Sequence, residues 1–434
     1  MNENIKHINE VFNHGIRDNL GQIVHQLVQV FFVGLTLGMM RTVVPALAEQ
    51  EFGVPRGSFL LLVTFVVAFG FVKGALNFVA GRWSERIGRK SVLMLGWASA
   101  LPIPFMMLYA PNWGWVVAAT VLLGVNQGFT WSMTQTAKLD LTLADQRGLT
   151  LGLNEFSGYI GVAVAGIVTG YMAQELGPRL GLFIFGVTVI VPALALTTLW
   201  VRETLPWART PHKSVATANI DLPRYPQHIG ENPSTWEVFM LMSWRDRRMA
   251  SFCQAGLVEK FVDALVWVVF PVYYYRQGLD LTEIGWVVGV YGFTWGGAQL
   301  VTGKLSDHIG RQKPIVWGMW LCALGVASTL WSSGMLWWSV SAAVTGFGMA
   351  LLYPNLSAAV ADIAHPLWRG SAIGIYRFWR DTGYGIGALS LGGIAWATGA
   401  LESAIALTVV AMSISGGVVW WWGEETHPRL NPRN

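Results

Sequence analysis

Residues 81–90 read GRWSERIGRK, and residues 303–312 read GKLSDHIGRQ. The two stretches stand 222 residues apart, and the offset does not stop at their edges. It pairs Gly70 with Gly292, Phe71 with Phe293, Gly74 with Gly296 and Gly96 with Gly318. Further on it pairs Gly124 with Gly346, Asp140 with Asp362, Arg147 and Gly148 with Arg369 and Gly370, and Gly152 with Gly374. Leucines match by accident in any two apolar helices. Glycines and charges held in one ungapped register do not, so the chain is two copies of one unit.

The medium of that unit follows from composition. Of 434 residues, 53% are hydrophobic and 12% charged, where a soluble domain carries about 25% charged residues. Mean hydropathy is +0.44. Apolar segments long enough to cross ~30 Å of hydrocarbon fall at 26–48, 58–80, 91–110, 114–136, 149–173, 180–200, 248–273, 283–302, 314–333, 336–360, 371–397 and 402–423. The reading is an all-α integral membrane protein, with twelve transmembrane helices in two pseudo-symmetric six-helix bundles. Residues 1–25 form a polar N-terminal segment, 26–200 the first bundle, 201–247 a polar, proline-bearing linker, 248–423 the second bundle and 424–434 a tail. No signal peptide is read in the polar start. Cys253 and Cys322 stand alone in apolar segments, which leaves no disulfide framework and no metal-ligand spacing.

Basic residues set the expected orientation. Arg82, Arg86, Arg89, Lys90, Lys138, Arg147, Lys304, Arg311, Lys313 and Arg369 fall in one set of loops, with those of the linker. The alternate loops hold Arg56, Arg179 and Arg276. Both termini and the linker are therefore expected in the cytoplasm, with the protein in a plasma (inner) membrane.

Two parallel six-span halves with a site between them is a transporter plan. The two ten-residue stretches resemble the signature G-x-x-x-D-x-x-G-R-K/R between spans two and three of the major facilitator superfamily, and the likeness extends along essentially the whole chain. Glu85 replaces the usual aspartate in the first copy, and Asp307 keeps it in the second. The resemblance implies the fold of that superfamily and a cytoplasmic gate formed by Gly81, Glu85, Gly88 and Arg89 and by Gly303, Asp307, Gly310 and Arg311. Asp140 with Arg147, and Asp362 with Arg369, look like their partners. Physically, Gly81 and Gly303 permit close helix approach, and a carboxylate at position 85 or 307 suits the positive N-terminal end of a neighbouring helix.

Charges inside the spans are expensive and mark function or pairing. Span eleven carries Arg377, Arg380 and Asp381 within five residues; at ~1.5 Å per residue, Asp381 lies near the bilayer centre. Arg377 and Asp381, four apart, can form an intrahelical pair that leaves Arg380 turned elsewhere. The repeat places Glu155 of span five opposite Arg377, so the two can attract across the interface or hold two ends of a solute. Arg41 in span one and Glu259, Lys260 and Asp263 in span seven lie on spans that line the cavity in the resembled family. Lys260 and Asp263, three apart, can neutralise one another. Gln127, Asn355, Asn77 and Gln299 add hydrogen-bonding groups, and Lys73 reads as a cation snorkelling to the surface. The substrate and coupling candidates are thus Arg41, Gln127, Glu155, Lys260, Asp263, Arg377, Arg380 and Asp381.

No P-loop of the G-x-x-x-x-G-K-[ST] type occurs, and no nucleophile motif, so the chain reads as a gradient-driven transporter and not an enzyme. Protons are the expected coupling ion, with Glu155, Asp263 and Asp381 as carriers in symport or antiport. Cations in the interior favour an anionic or zwitterionic small molecule. Proton-driven efflux of hydrophobic, drug-like compounds is the alternative, although the Gly-Pro element of span five in drug antiporters is missing: no proline occurs between Gly148 and Gly177. A membrane sensor of the same fold is a third reading. No cofactor and no nucleic-acid partner is expected, the partners are solute, proton and lipid, and the working unit is read as a monomer.

Overall fold

The computed structural model describes residues 12–50, 59–210, 233–279, 281–331, 333–428 and 430, with only the backbone for 41–50, 59–65, 174, 271, 275, 281, 282, 284 and 285. Every element among the described residues is helical. Spans one and two are Leu20–Gln50 and Phe59–Ile87. Span three is broken into Arg89–Ala100 and Pro102–Tyr109, where Pro102 lacks the N–H that would continue the ladder. Spans four, five and six are Trp113–Leu141, Arg147–Leu176 and Pro178–Leu199. Span seven runs Arg247–Ala264, passes through a π-helical turn at Leu265–Val269 and ends as Phe270–Arg276. Spans eight to twelve are Leu281–Ile309, Gln312–Trp331, Met335–Ile363, Arg369–Thr398 and Leu401–Trp422.

Eight of these helices are long and apolar enough to cross a bilayer by the described residues alone. Spans seven and eleven fall short of that measure because of their internal charges and, in seven, the π-turn; spans two and eight are described only in part. The linker's flanks are helical at Leu205–Arg209 and Thr235–Met240. Ser234 and Glu237 close a reciprocal capping box at the start of the second, and residues 211–232 lie outside the description.

The repeat seen in the sequence is a repeat of packing. Span one lies against five, two against four and three against four; seven lies against eleven, eight against ten and nine against ten. The halves meet along two seams, span two on eleven and span five on eight, which the 222-residue offset exchanges. In lipid, apolar side chains gain little by leaving their surroundings, so close backbone approach holds helices together. The seams show it: a Cβ on Gly81 would stand 2.6 Å from the carbonyl oxygen of Gly370, and one on Gly303 would stand 2.5 Å from that of Gly148.

Candidate functional site

At one end of the bundles the repeated loops build two copies of one polar cluster. Gly88 and Gly310 both take φ +93°, a left-handed value that glycine adopts without penalty, and turn spans two and eight into three and nine. Arg89 Nε donates to Asp140 Oδ2 at 2.9 Å, and Arg311 Nε donates to Asp362 Oδ2 at 3.1 Å. Arg89 also donates to the Ser84 carbonyl at 2.7 Å, and Arg311 to Ser306 Oγ at 2.7 Å and Asp307 Oδ1 at 2.6 Å.

Two further acids complete the clusters, and the sequence reading missed them. Glu203 accepts the backbone N–H groups of Arg89 and Lys90 at 2.8 and 3.0 Å. Glu425 accepts those of Arg311 and Gln312 at 2.8 and 3.3 Å. Each satisfies donors that a helix start leaves without intrahelical partners. Glu203 and Glu425 are also 222 residues apart, so extending the repeat beyond the apolar spans would have found them. Glu425→Gln is expected to cost about 1 kcal/mol, as loss of a charged cap does. A lowered melting temperature of the purified protein, at unchanged salt, checks it. Beside this acid, burial and then the Arg311 guanidinium lower the pKa of His427. The fold thus favours the neutral imidazole, a contribution present above its ordinary pKa and lost as pH falls through the lowered one.

The clusters also join the halves. Glu85 of span two accepts Ser371 N at 2.6 Å and Ser371 Oγ at 2.8 Å, in the first turn of span eleven. Asp307 of span eight accepts Gly148 N at 3.0 Å and Leu149 N at 2.9 Å, in the first turn of span five. The carboxylates thus meet the positive ends of helices, as expected, and both helices belong to the opposite half. The expected partner of Arg147 needs correction. Asp362 holds Arg311 of its own half and Arg147 Nη1 of the other, at 2.5 Å. Arg147 opens span five, which leans on span eight, so its guanidinium reaches the end of span ten. Asp140 is held by Arg89 and Thr204. Arg369 is buried at the start of span eleven.

Midway along the spans lies a belt of buried charge. Lys73, Glu155, Glu259, Lys260, Asp263, Arg377, Arg380 and Asp381 are all at most 4% exposed. Asp381 takes a hydrogen bond from Asn77 Nδ2 at 2.6 Å, pairs with Arg380 Nε at 3.2 Å and has Lys73 Nζ at 3.6 Å. The expected Arg377–Asp381 pair does not form. Asn77 and Lys73 of span two draw the Asp381 carboxylate toward the seam, and Arg377 turns to span four, donating to Gln135 Oε1 at 2.8 Å. Lys73 is no snorkelling cation; its ammonium points inward, 5.3 Å from the centroid of the Trp131 ring.

Glu155 and Arg377 do not pair either, because span four stands between them. Trp131 Nε1 donates to Glu155 at 3.0 Å, and Gln135, one turn on, occupies Arg377. Lys260 and Asp263 do neutralise one another, at 2.8 Å, and Asp263 also accepts the hydroxyls of Tyr291 and Tyr384, each at 3.0 Å. The Lys260 ammonium lies 4.0 Å from the centroid of the Tyr353 ring, and the Arg380 guanidinium carbon 4.7 Å from it. Tyr353 meets the Tyr159 hydroxyl of the other half at 3.2 Å.

Other candidates sit elsewhere. Gln127 spends its amide N–H groups on Val33 O, Thr36 and Asn126 within the first half, a contact between spans one and four that removes it from the belt. Asn355 donates to Leu351 O of its own helix. The side chain of Arg41 lies outside the described residues. Lys138, read as a loop cation, is fully buried on span four and donates to Gln26 O at 3.1 Å.

Twelve spans among the described residues in two exchanged halves, with a charged belt between them and a paired polar cluster at one end, fit a multi-pass membrane transporter. The chain belongs to the Major Facilitator Superfamily, whose model matches residues 27–262 and 252–434, and it is a secondary transporter, not an enzyme. It is 24% identical over 321 residues to the tetracycline resistance protein, class E, of Escherichia coli, covering 73% of this chain and 74% of that one. A shorter match, 32% identical over 114 residues, links 25% of the chain to 29% of the multidrug resistance protein MdtH of Aeromonas hydrophila. Probable anion transporter 5 of Arabidopsis thaliana is 24% identical over 186 residues, 42% of this chain and 41% of that protein. Among solved structures, the human organic anion transporter MFSD10 (TETRAN) aligns with TM-score 0.76 at 15% identity, over 92% of this chain and 99% of that one. This last likeness is one of fold.

Proposed function

We propose that this transporter carries a small anionic or zwitterionic solute by alternating access, coupled to protons. It works as a monomer in a plasma (inner) membrane, with both termini and the linker cytoplasmic. The repeated clusters are its cytoplasmic gate, closed in the conformation described here, and opening them parts Glu85 from span eleven and Asp307 from span five.

The substrate class rests on one observation. Buried polar groups are ordinarily satisfied, yet Arg377 Nε and Nη2, Arg380 Nη1 and Gln135 Nε2 have no protein partner. All are N–H donors, and Arg377 and Gln135 touch across the seam. An oxyanion supplies the acceptors that this arrangement lacks. The test is uptake of labelled organic anions into proteoliposomes, with and without a pH gradient. Uptake that follows the gradient, and an apparent KM raised at least tenfold in Arg377→Gln with the protein still monodisperse, is the expected result. Anion transport indifferent to both would sink the reading.

The second reading, proton-driven export of hydrophobic compounds, is favoured by the names of the tetracycline and multidrug resistance relatives. It predicts export of uncharged compounds that Arg377→Gln leaves unchanged.

A further inference from the structure

Proton coupling requires a carboxyl group that can gain and lose a proton where water is scarce. Of the three acids named for this from the sequence, two are fully engaged. Asp263 holds Lys260, Tyr291 and Tyr384, and Asp381 holds Asn77, Arg380 and Lys73. To take a proton, either would have to give up a donor it already has. Glu155 keeps one oxygen occupied by Trp131 and Asn154.

Glu259, one helical turn before Asp263, is different. It is 0% exposed, and neither of its carboxyl oxygens accepts a hydrogen bond. Its ion-pair contact is Lys260 Nζ at 3.8 Å, and that ammonium is already bound to Asp263 a full ångström closer. The ionisable groups around it are Lys260 and Asp263 on span seven, Arg380, Asp381 and Tyr376 on span eleven, Tyr291 on span eight and Cys322 on span nine. A carboxylate shut away from water with no donor is far costlier to bury than the neutral acid.

Building on the proton-coupled reading, we propose that Glu259 is the exchangeable proton site. It holds the proton as a neutral acid in the conformation described here. On release, the Glu259 O–H bond breaks, the proton passes to water, and the Lys260 ammonium shifts from Asp263 toward the new carboxylate. The ammonium one residue away and the displaced Asp263 keep the charge count of the belt within one unit throughout.

Infrared difference spectroscopy of the full chain in lipid vesicles, stepped from mildly acid pH, where solvent-exposed carboxyls are already ionised, to alkaline pH with no solute present, tests this directly. The expected result is a carboxylic-acid C=O band that disappears on the alkaline side, is missing in Glu259→Gln and persists in Glu155→Gln. A band that survives Glu259→Gln, or that vanishes in Glu155→Gln, overturns the assignment, as does the lack of any titrating band. Should Glu259→Gln fail to fold, Glu259→Asp must move the band to a new frequency, and an unmoved band overturns the assignment. Because no solute is used, the outcome is separate from that of the uptake assay. A Glu259 band alongside gradient-independent uptake would remove the coupling and leave the proton site standing.

Discussion

Asp362→Asn is expected to release the end of the molecule that carries the repeated loops. Asp362 is 4% exposed and holds two guanidinium groups, Arg311 in its own half and Arg147 in the other. Asparagine removes the charge and leaves Arg147 buried without its carboxylate. Breaking one side of a buried pair costs about 3–5 kcal/mol. If only half of that weight falls on the contact between the halves, the separated form gains roughly tenfold or more in population, at about 1.4 kcal/mol per factor of ten. Spin labels at Arg86 and Leu367, which line the same surface cavity from opposite halves, read the separation. We expect a second, longer distance in the variant and a transport rate at least tenfold lower. A single unchanged distance would show that Asp362 does not tie the halves together.

Asp381→Asn should do the greatest damage in the belt. The substitution strands Lys73 and Arg380, both nearly fully buried, so a loss of about 3–5 kcal/mol is again the scale. It should appear as a large fall in melting temperature and in yield from the membrane. The diagnostic result is the pair of changes together. Lys73→Met with Asp381→Asn removes one stranded charge with its partner, and the double variant should recover part of the stability, with a coupling energy in the range of about 0.5–3 kcal/mol. An Asp381→Asn protein as stable as the parent would mean that the belt is wet and its charges independently solvated.

These outcomes show which kinds of information the linear chain carries. Spacing between equivalent residues is legible, because duplication preserves it: the residues that cluster on both sides of the offset, and the helix-end position of Glu85 and Asp307, can be named from the letters. Local spacing within span eleven misled. Arg377 and Asp381 are four apart and suited to a pair, but Asn77 and Lys73 on another helix compete for the same carboxylate and win. Lys73 and Lys138 read as surface cations because each lies toward the end of a predicted span. Which face of a helix meets a neighbour depends on span-to-span packing, and no one-dimensional pattern in these evenly apolar helices reports it. Gln127 failed for the same reason in reverse, since its face looks into its own half. Glu259 is named with the other charges of span seven, but nothing in the letters sets it apart from Asp263 as a proton carrier, because only coordinates reveal that the Lys260 ammonium is drawn to Asp263.

The carboxylate of each half rests on the first turn of a helix from the other, Glu85 on span eleven and Asp307 on span five. Because the 222-residue offset converts one contact into the other, the latch is self-complementary. A tandem of two first halves would therefore present a matching plug and socket on both sides and should still shut at that end. Its middle would be another matter: two copies each of Lys73 and Glu155 and none of Arg377, Arg380 or Asp381, a belt without guanidinium groups. Contact at that end is thus a property of the repeated unit itself, whereas the belt of charge is made where the two copies differ.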